Sequence, residues 1–316
     1  MRKIAVRIGE LLAVLFVVSF GVFAMVTLMP GDPAVAILGE GHPKHEYAEL
    51  RDEMGLNDPL LTRYWDWLSS AVRGDLGTSL VPPQSDVTDR ILGALPVSVE
   101  LAVLGLLIAI VLAVPLALWS AAHAGGTVDR IISATMFATL SVPSFLAGLL
   151  LIMIFANGLG WFPRAQWVRL SESVPGNLHH ALLPAIVIAL MELALFTRIL
   201  RNDLIVTLNE DFILAARAKG MPPWRIMVGD ALRPSSFSLV TLMGISLGRL
   251  IGSTVIVEYL FALPGMGSMI VTSANQGDFP LVQGAVLVIA LVYVVVNAGI
   301  DLSYGYLDPR TRRVHA

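Results

Sequence analysis

The sequence contains no cysteine. That excludes disulfides, thiolate metal sites, a cysteine nucleophile and lipid attachment through sulfur, and it leaves the redox compartment open. Charge is scarce as well: Asp, Glu, Lys and Arg make up 14% of the 316 residues, where an average soluble domain carries roughly 25%. The formal net charge of −3 provides no broad basic field for nucleic acid. No G-x-x-x-x-G-K-[ST] phosphate loop occurs, so any use of ATP must fall to another chain. Neither a Ser/His/Asp set nor a pair of carboxylates stands in a catalytic pattern. His42 with His45, and His179 with His180, have no further ligands close in sequence, so no metal site is expected. The chain reads as non-enzymatic and without a cofactor of its own.

Apolar length is abundant instead. Hydrophobic residues make up 56% of the chain and the mean hydropathy is +0.75. A bilayer core of ~30 Å takes about 20 apolar residues in a helix. Six stretches qualify: Leu11 to Met29, Leu101 to Ala122, Ile131 to Pro163, Ala181 to Thr197, Ser235 to Val257 and Phe279 to Ile300. The third exceeds one span, and its excess reads as an interfacial end around Gly158-Leu159-Gly160-Trp161. Hydrocarbon leaves no partner for an open backbone group, so these segments are expected to be helices, with Pro115, Pro143 and Pro184 tolerated by packing on neighbours. The first stretch is longer than the apolar core of a signal peptide, and the cleavage-like Ala34-Val35-Ala36 lies beyond Pro30-Gly31-Asp32-Pro33. It is therefore read as a retained span.

Basic residues orient the spans. With the N-terminus inside, the inner segments collect Arg2, Lys3, Arg7, Arg130, the cluster from Arg198 to Arg233, and Arg310, Arg312 and Arg313; the two short outer loops hold only Arg164 and Arg169. Both termini are thus expected in the cytoplasm. The chain then divides into residues 1–29 (an N-terminal segment and first span), an extracytoplasmic loop 30–96, and a five-helix core 97–316 that carries an inner loop 198–234.

Both large polar segments have features of their own. In the outer one, Leu61, Trp65, Leu68 and Val72 recur at helical spacing over Leu60 to Val72. Trp65 and Trp67 suit anchoring at the membrane interface, or contact with an external partner protein. In the inner one, Thr207 and Glu210 match a Thr-x-x-Glu capping box. Glu210 and Asp211 suit a helix start, and Lys219, Gly220 and Pro222-Pro223 suit its end. The implied helix, Leu208 to Lys219, would be about 18 Å long. Its small residues, Ala215, Ala216 and Ala218, would let another surface approach closely. Spacing alone leaves two readings open, a docking element or a loop helix lying on the bilayer.

Several stretches resemble one family in order and spacing over nearly the whole chain. They are Leu28-Met29-Pro30-Gly31-Asp32-Pro33, Met54 to Leu60, Gly74-Asp75-Leu76-Gly77-Thr78-Ser79, Leu95 to Ala102, Ala215-Ala216-Arg217-Ala218-Lys219-Gly220, Phe261 to Gly267, Asp278 to Gly284 and Leu307-Asp308-Pro309-Arg310. Together they look like the first permease subunit of the dipeptide, oligopeptide and nickel ABC importers. The resemblance implies an all-α integral membrane protein of about six transmembrane helices, with the type I ABC importer permease fold, a cytoplasmic coupling helix and a large extracytoplasmic first loop. It implies import of short peptides, with nickel as the alternative cargo. The partners would be a second permease of different sequence, two cytoplasmic ATPase subunits or domains that bind ATP and Mg, and an external solute-binding protein. Residues Leu214, Ala215, Ala216, Arg217, Ala218, Lys219 and Gly220 match the family's Glu-Ala-Ala-x-x-x-Gly loop, which seats on the ATPase. Leu214 stands where the general pattern has Glu, and Arg233-Pro234 where it has Leu-Pro. An ion-coupled secondary transporter is the competing class. It is usually larger and built from inverted repeats, which are not seen here.

Glu192 and Arg249 fall inside apolar spans. An intramembrane charge costs roughly 2.5–3.5 kcal/mol on insertion scales, and marks either function or pairing. The two are expected to line a translocation path or to form a packing ion pair. Asn297 lies one helical turn before Asp301 on the last span and would extend a polar stripe.

Overall fold

The computed structural model describes residues 2–28, 33–39 and 41–307. In chain order the helices are α1 (Arg2–Leu28), α2 (Pro33–Leu38), α3 (Lys44–Glu53), α4 (Leu60–Val72), α5 (Val87–Ala122), α6 (Thr127–Ser141), α7 (Ser144–Leu151), α8 (Val174–Thr207), α9 (Asp211–Ala218), α10 (Pro223–Arg225), α11 (Leu232–Ser253), α12 (Val255–Leu260), α13 (Met266–Gln276) and α14 (Phe279–Leu307). Short π-helical stretches, Ile152–Gly158 and Ile226–Ala231, extend α7 and precede α11. Among the described residues there is no β-strand; an isolated bridge joins Thr78 to Asp86.

Among the described residues five helices are long and apolar enough to cross a membrane, and a sixth span results if α6 and α7 are taken together. The third apolar run is therefore not one straight helix with an interfacial tail. It breaks at Val142-Pro143 and turns through 101°. Proline lacks the N–H that would continue the ladder and forces the residue before it out of the α region. Val142 is accordingly extended, with φ −91° and ψ 122°. Pro184, by contrast, sits inside α8. The second span also differs from expectation, since α5 begins at Val87 and carries Pro96 within it. The last residues of the expected outer loop are thus already helical.

The chain forms two compact units, residues 1–98 with 264–295 and residues 99–263 with 296–316. In the first, Leu76, Val87, Ile91, Ala94, Met266, Leu281 and Ala285 form a buried apolar cluster. Helix α4 has the range its spacing implies, and it packs on α1 through Tyr64. That ring is 1% exposed and lies edge-on to Phe20 and Phe23 at centroid distances of 5.2 and 5.6 Å. Its hydroxyl pairs with Ser19 Oγ at 2.8 Å. Leu61, Trp65 and Val72 face outward, whereas Trp67 joins the aromatic cluster beside Phe23. In the second unit α8 is the central helix, in contact with α6, α7, α11 and α12. Close approach there depends on missing side chains: a Cβ on Gly105 would stand 2.7 Å from Ile188, and one on Gly148 would stand 2.6 Å from Leu260. Small residues of this kind are the usual means by which membrane helices come together.

Candidate functional site

Helix α8 is capped at its start by Ser173, whose Oγ accepts from the Gly176 N–H, and it runs without interruption to Thr207. The chain then makes a tight hydrogen-bonded turn. Leu208 N–H donates to Leu204 O at 2.9 Å and Glu210 N–H to Thr207 O at 3.0 Å. Helix α9 follows at once, so its attachment to α8 is a bonded corner and not a free linker.

The expected capping box does not form. Thr207 ends α8, and its Oγ1 accepts from Ser235 Oγ at 2.8 Å. Glu210 occupies the N-cap position without a side-chain hydrogen bond. The reason is competition: the backbone groups of residues 208–210 already bond into the end of α8, so α9 starts at Asp211 and spans 8 residues, or about 12 Å. Its end does follow the sequence reading. Gly220 has φ +75°, Gly220 N–H donates to Arg217 O at 2.9 Å, and Met221 N–H donates to Ala216 O at 3.3 Å. This is a Schellman closure, in which a left-handed glycine satisfies the last helical carbonyls.

The two faces of α9 are unlike. Ile213 and Ala216 are buried on the side that meets the π-helical stretch Ile226–Ala231. Ala216 is therefore packed within this chain and is not one of the small residues presented outward. The outer face carries Phe212 and Leu214, about half exposed, with Ala215, Arg217, Ala218, Lys219 and Gly220 also exposed. Beyond the turn, Trp224 is 70% exposed and Val228 53% exposed. An apolar surface of this kind, bonded to the end of α8, can seat in a complementary groove.

The intramembrane charges meet. Glu192 on α8 is 2% exposed; it accepts from Arg249 Nη2 on α11 and from Ser246 Oγ at 2.7 Å. The pair ties α8 to α11, with the Arg249 side chain 57% exposed at its other side. Asn297 is half-buried on α14, and the Asp301 side chain lies outside the described residues.

Two further polar clusters were not singled out from sequence. Asp129, at the start of α6, is buried and receives both Nε and Nη2 of Arg201 on α8, at 2.5 and 2.6 Å. In the first unit Asp278 is wholly buried and accepts from Ser79 Oγ and from the Leu80 N–H at 3.1 Å. Arg90 lies 3.7 Å away. Stretches far apart in sequence, Gly74 to Ser79 and Asp278 to Gly284, are thereby joined. A Cβ on Gly284 would stand 2.8 Å from Val87, and Met266 N–H donates to Ser98 Oγ at 2.8 Å. His42 bonds Glu46, His179 the Trp161 carbonyl and His180 the Gly176 carbonyl.

Comparison with known proteins covers nearly the whole length. The family model described as binding-protein-dependent transport system inner membrane component matches residues 113–313, and its N-terminal companion matches residues 1–102. The oligopeptide transport system permease protein AppB of Bacillus subtilis (strain 168) is 33% identical over 290 residues, 91% of this chain and 92% of that protein. A protein of Brucella abortus (strain 2308), named for a peptide transport system permease, is 32% identical over 306 residues, 97% of each chain. One from Brucella suis biovar 1 (strain 1330), named for a peptide permease, is 33% identical over 316 residues, 99% of this chain and 98% of that protein.

Proposed function

This chain belongs to the family of binding-protein-dependent transport system inner membrane components, and from that premise we propose that it is a permease subunit of an ATP-driven importer of short peptides. As a family member it is a multi-pass membrane component of a transport system. The peptide substrate rests on the relatives, which are named for oligopeptide or peptide transport. A second permease would complete the path, two ATPase subunits or domains would bind ATP and Mg, and an external binding protein would deliver the peptide. The termini are assigned to the cytoplasm from the distribution of basic residues.

The observation that carries the mechanism is α9. It is closed at its end by Gly220 and bonded directly to the end of α8, and its outer face is apolar at Phe212 and Leu214. When two ATPase subunits close on ATP, the groove that holds α9 moves, and α8 moves with it. ATP biases the transporter between inward- and outward-facing states because it binds one ATPase arrangement better than the other. Selection of the peptide belongs to the binding protein and to the path between the two permeases. In this reading Leu214, Ala215, Ala218 and Lys219 contact the ATPase. Ala216 and Gly220 shape the element that does so.

The test is purification and uptake. The chain, purified from its native membrane, should co-purify with an ATPase, and proteoliposomes of the complex should take up labelled di- to oligopeptides on ATP addition with the binding protein present. Leu214→Arg places a charge on the outer face without touching a span; it should release the ATPase and abolish uptake. Normal uptake with the ATPase still bound would refute the coupling role. Nickel uptake without peptide uptake would move the substrate to the metal, and uptake by this chain alone on a proton or sodium gradient would overturn the class.

A further inference from the structure

Both oxygens of the Asp129 carboxylate are fully engaged. Its Oδ1 accepts from Ser120 Oγ at 2.6 Å and from Arg201 Nε at 2.5 Å. Its Oδ2 accepts from the Gly125 N–H at 2.8 Å and from Arg201 Nη2 at 2.6 Å. Four donors fill the roughly four acceptor positions of a carboxylate. The residue is 4% exposed. Three elements meet at this atom group: the end of α5, the start of α6, and α8. Farther along the same face of α8, Arg198 lies over the Phe137 ring of α6 at 4.4 Å, and Ala194 packs with Ile132 and Met136. Ala194, Arg198 and Arg201 are four and then three positions apart, so one stripe of α8 faces α6 along its length.

Apolar packing is non-directional. A planar guanidinium that bonds both oxygens of one carboxylate fixes distance and direction at once. Its position matters, because Arg201 stands within two turns of Thr207, where α8 passes through its bonded corner into α9. At its other end α6 terminates at the Val142-Pro143 elbow, where the span turns through 101°. We propose that the Asp129–Arg201 fork is the joint that carries displacement of α9 into α6 and so to the Val142-Pro143 elbow, which makes Asp129 and Arg201 positioning residues for transport. The proposal rests on the reading of α9 as the coupling element and adds the route by which its movement leaves α8.

The complete transporter in proteoliposomes, with its binding protein and a labelled oligopeptide, is measured for uptake and ATP hydrolysis in the same vesicles. In Asp129→Asn, uptake per ATP hydrolysed should fall about tenfold, and in Arg201→Lys, which keeps the charge but loses the fork, by a smaller factor, as expected for residues on a coupling path. A purely structural role lowers both activities with the amount of folded complex and leaves their ratio unmoved. If Asp129→Asn does not reach the membrane, Arg201→Lys decides on the same ratio. A ratio equal to wild type in every variant that reaches the membrane overturns the proposal. A second readout uses the absence of cysteine: nitroxides at Thr135 and Asp211, both exposed, should keep one separation with and without ATP in the otherwise wild-type chain and a broadened one in Arg201→Lys. An unchanged distribution in Arg201→Lys also counts against the joint. Leu214→Arg separates the two ideas. If it leaves uptake intact, the coupling role of α9 fails; if it abolishes uptake while the Asp129 and Arg201 variants keep the wild-type ratio, only the joint fails.

Discussion

Asp278→Ala should loosen the segment from Gly74 to Val87 by an amount that follows from its contacts. The carboxylate is wholly buried and accepts from the Leu80 N–H at 3.1 Å and from Ser79 Oγ. A hydrogen bond to a charged group contributes about 1.5–3 kcal/mol net, and a buried donor left without a partner costs about 1–3 kcal/mol. Ser79 has an alternative acceptor in Val81 O at 3.3 Å, so it recovers part of its loss. Arg90, 3.7 Å away and 32% exposed, contributes little, under about 1 kcal/mol for a partly solvated pair. Loss of the Leu80 bond and part of the Ser79 bond then comes to about 3 kcal/mol. At 1.4 kcal/mol per factor of ten, local opening becomes about a hundredfold more frequent. Hydrogen exchange read by mass spectrometry on the purified protein should show this in peptides that cover Leu76 to Val87. The reporters are the Ser79 N–H, bonded to Ser85 O, and the Val87 N–H, bonded to Gly77 O. Asp278→Asn keeps an acceptor for Leu80 and should accelerate exchange about tenfold, the charged share of the bonding. Peptides from α8 serve as the internal control. If Asp278→Ala exchanges within about threefold of wild type across this segment, the latch does not hold it and the reasoning from burial fails.

Three other outcomes are expected. Arg249→Leu leaves the buried Glu192 carboxylate with Ser246 as its other partner and should destabilise the α8–α11 contact by up to about 3 kcal/mol, whereas Glu192→Gln with Arg249→Leu should recover most of that in thermal unfolding; equal stability of the single and double variants would dismiss the pair as a packing element. Gly220→Val forces a β-branched residue to φ +75° at a cost of roughly 1–2 kcal/mol and should reduce ATP-driven uptake, while Gly220→Asn, which tolerates that region, should retain it; identical uptake by both would remove the turn from the mechanism. Single cysteines at Ser69 and Asn209, both exposed, should be labelled by an impermeant thiol reagent from outside and only after permeabilisation, respectively, and the reverse pattern would invert the topology.

Composition and apolar run length were enough to establish the class of this protein. In hydrocarbon a backbone must satisfy itself, so long uncharged stretches can only be helices, and five of them are helices in the structure. Local chemistry was equally legible where it acts within a few residues: the ends of α4 and the Gly220 closure of α9 depend on nearest neighbours. What failed was every inference in which neighbouring segments competed. The Thr207/Glu210 box was lost because α8 claimed the same backbone groups first. The third run became two helices because Pro143 outweighed its apolar length. Ala216 turned inward because the stretch Ile226–Ala231 packs beneath it, a fact that helical spacing cannot express. The polar clusters at Asp129 and Asp278 join residues 72 and 199 positions apart. No periodicity records such a pairing, since an aspartate before an apolar run looks the same whether it meets water or an arginine. Sequence determined which segments leave water and how they end, because solvent and backbone geometry act on each segment alone. Tertiary structure decided which charges are paired and which face of α9 is free, because burial and pairing are properties of two segments at once.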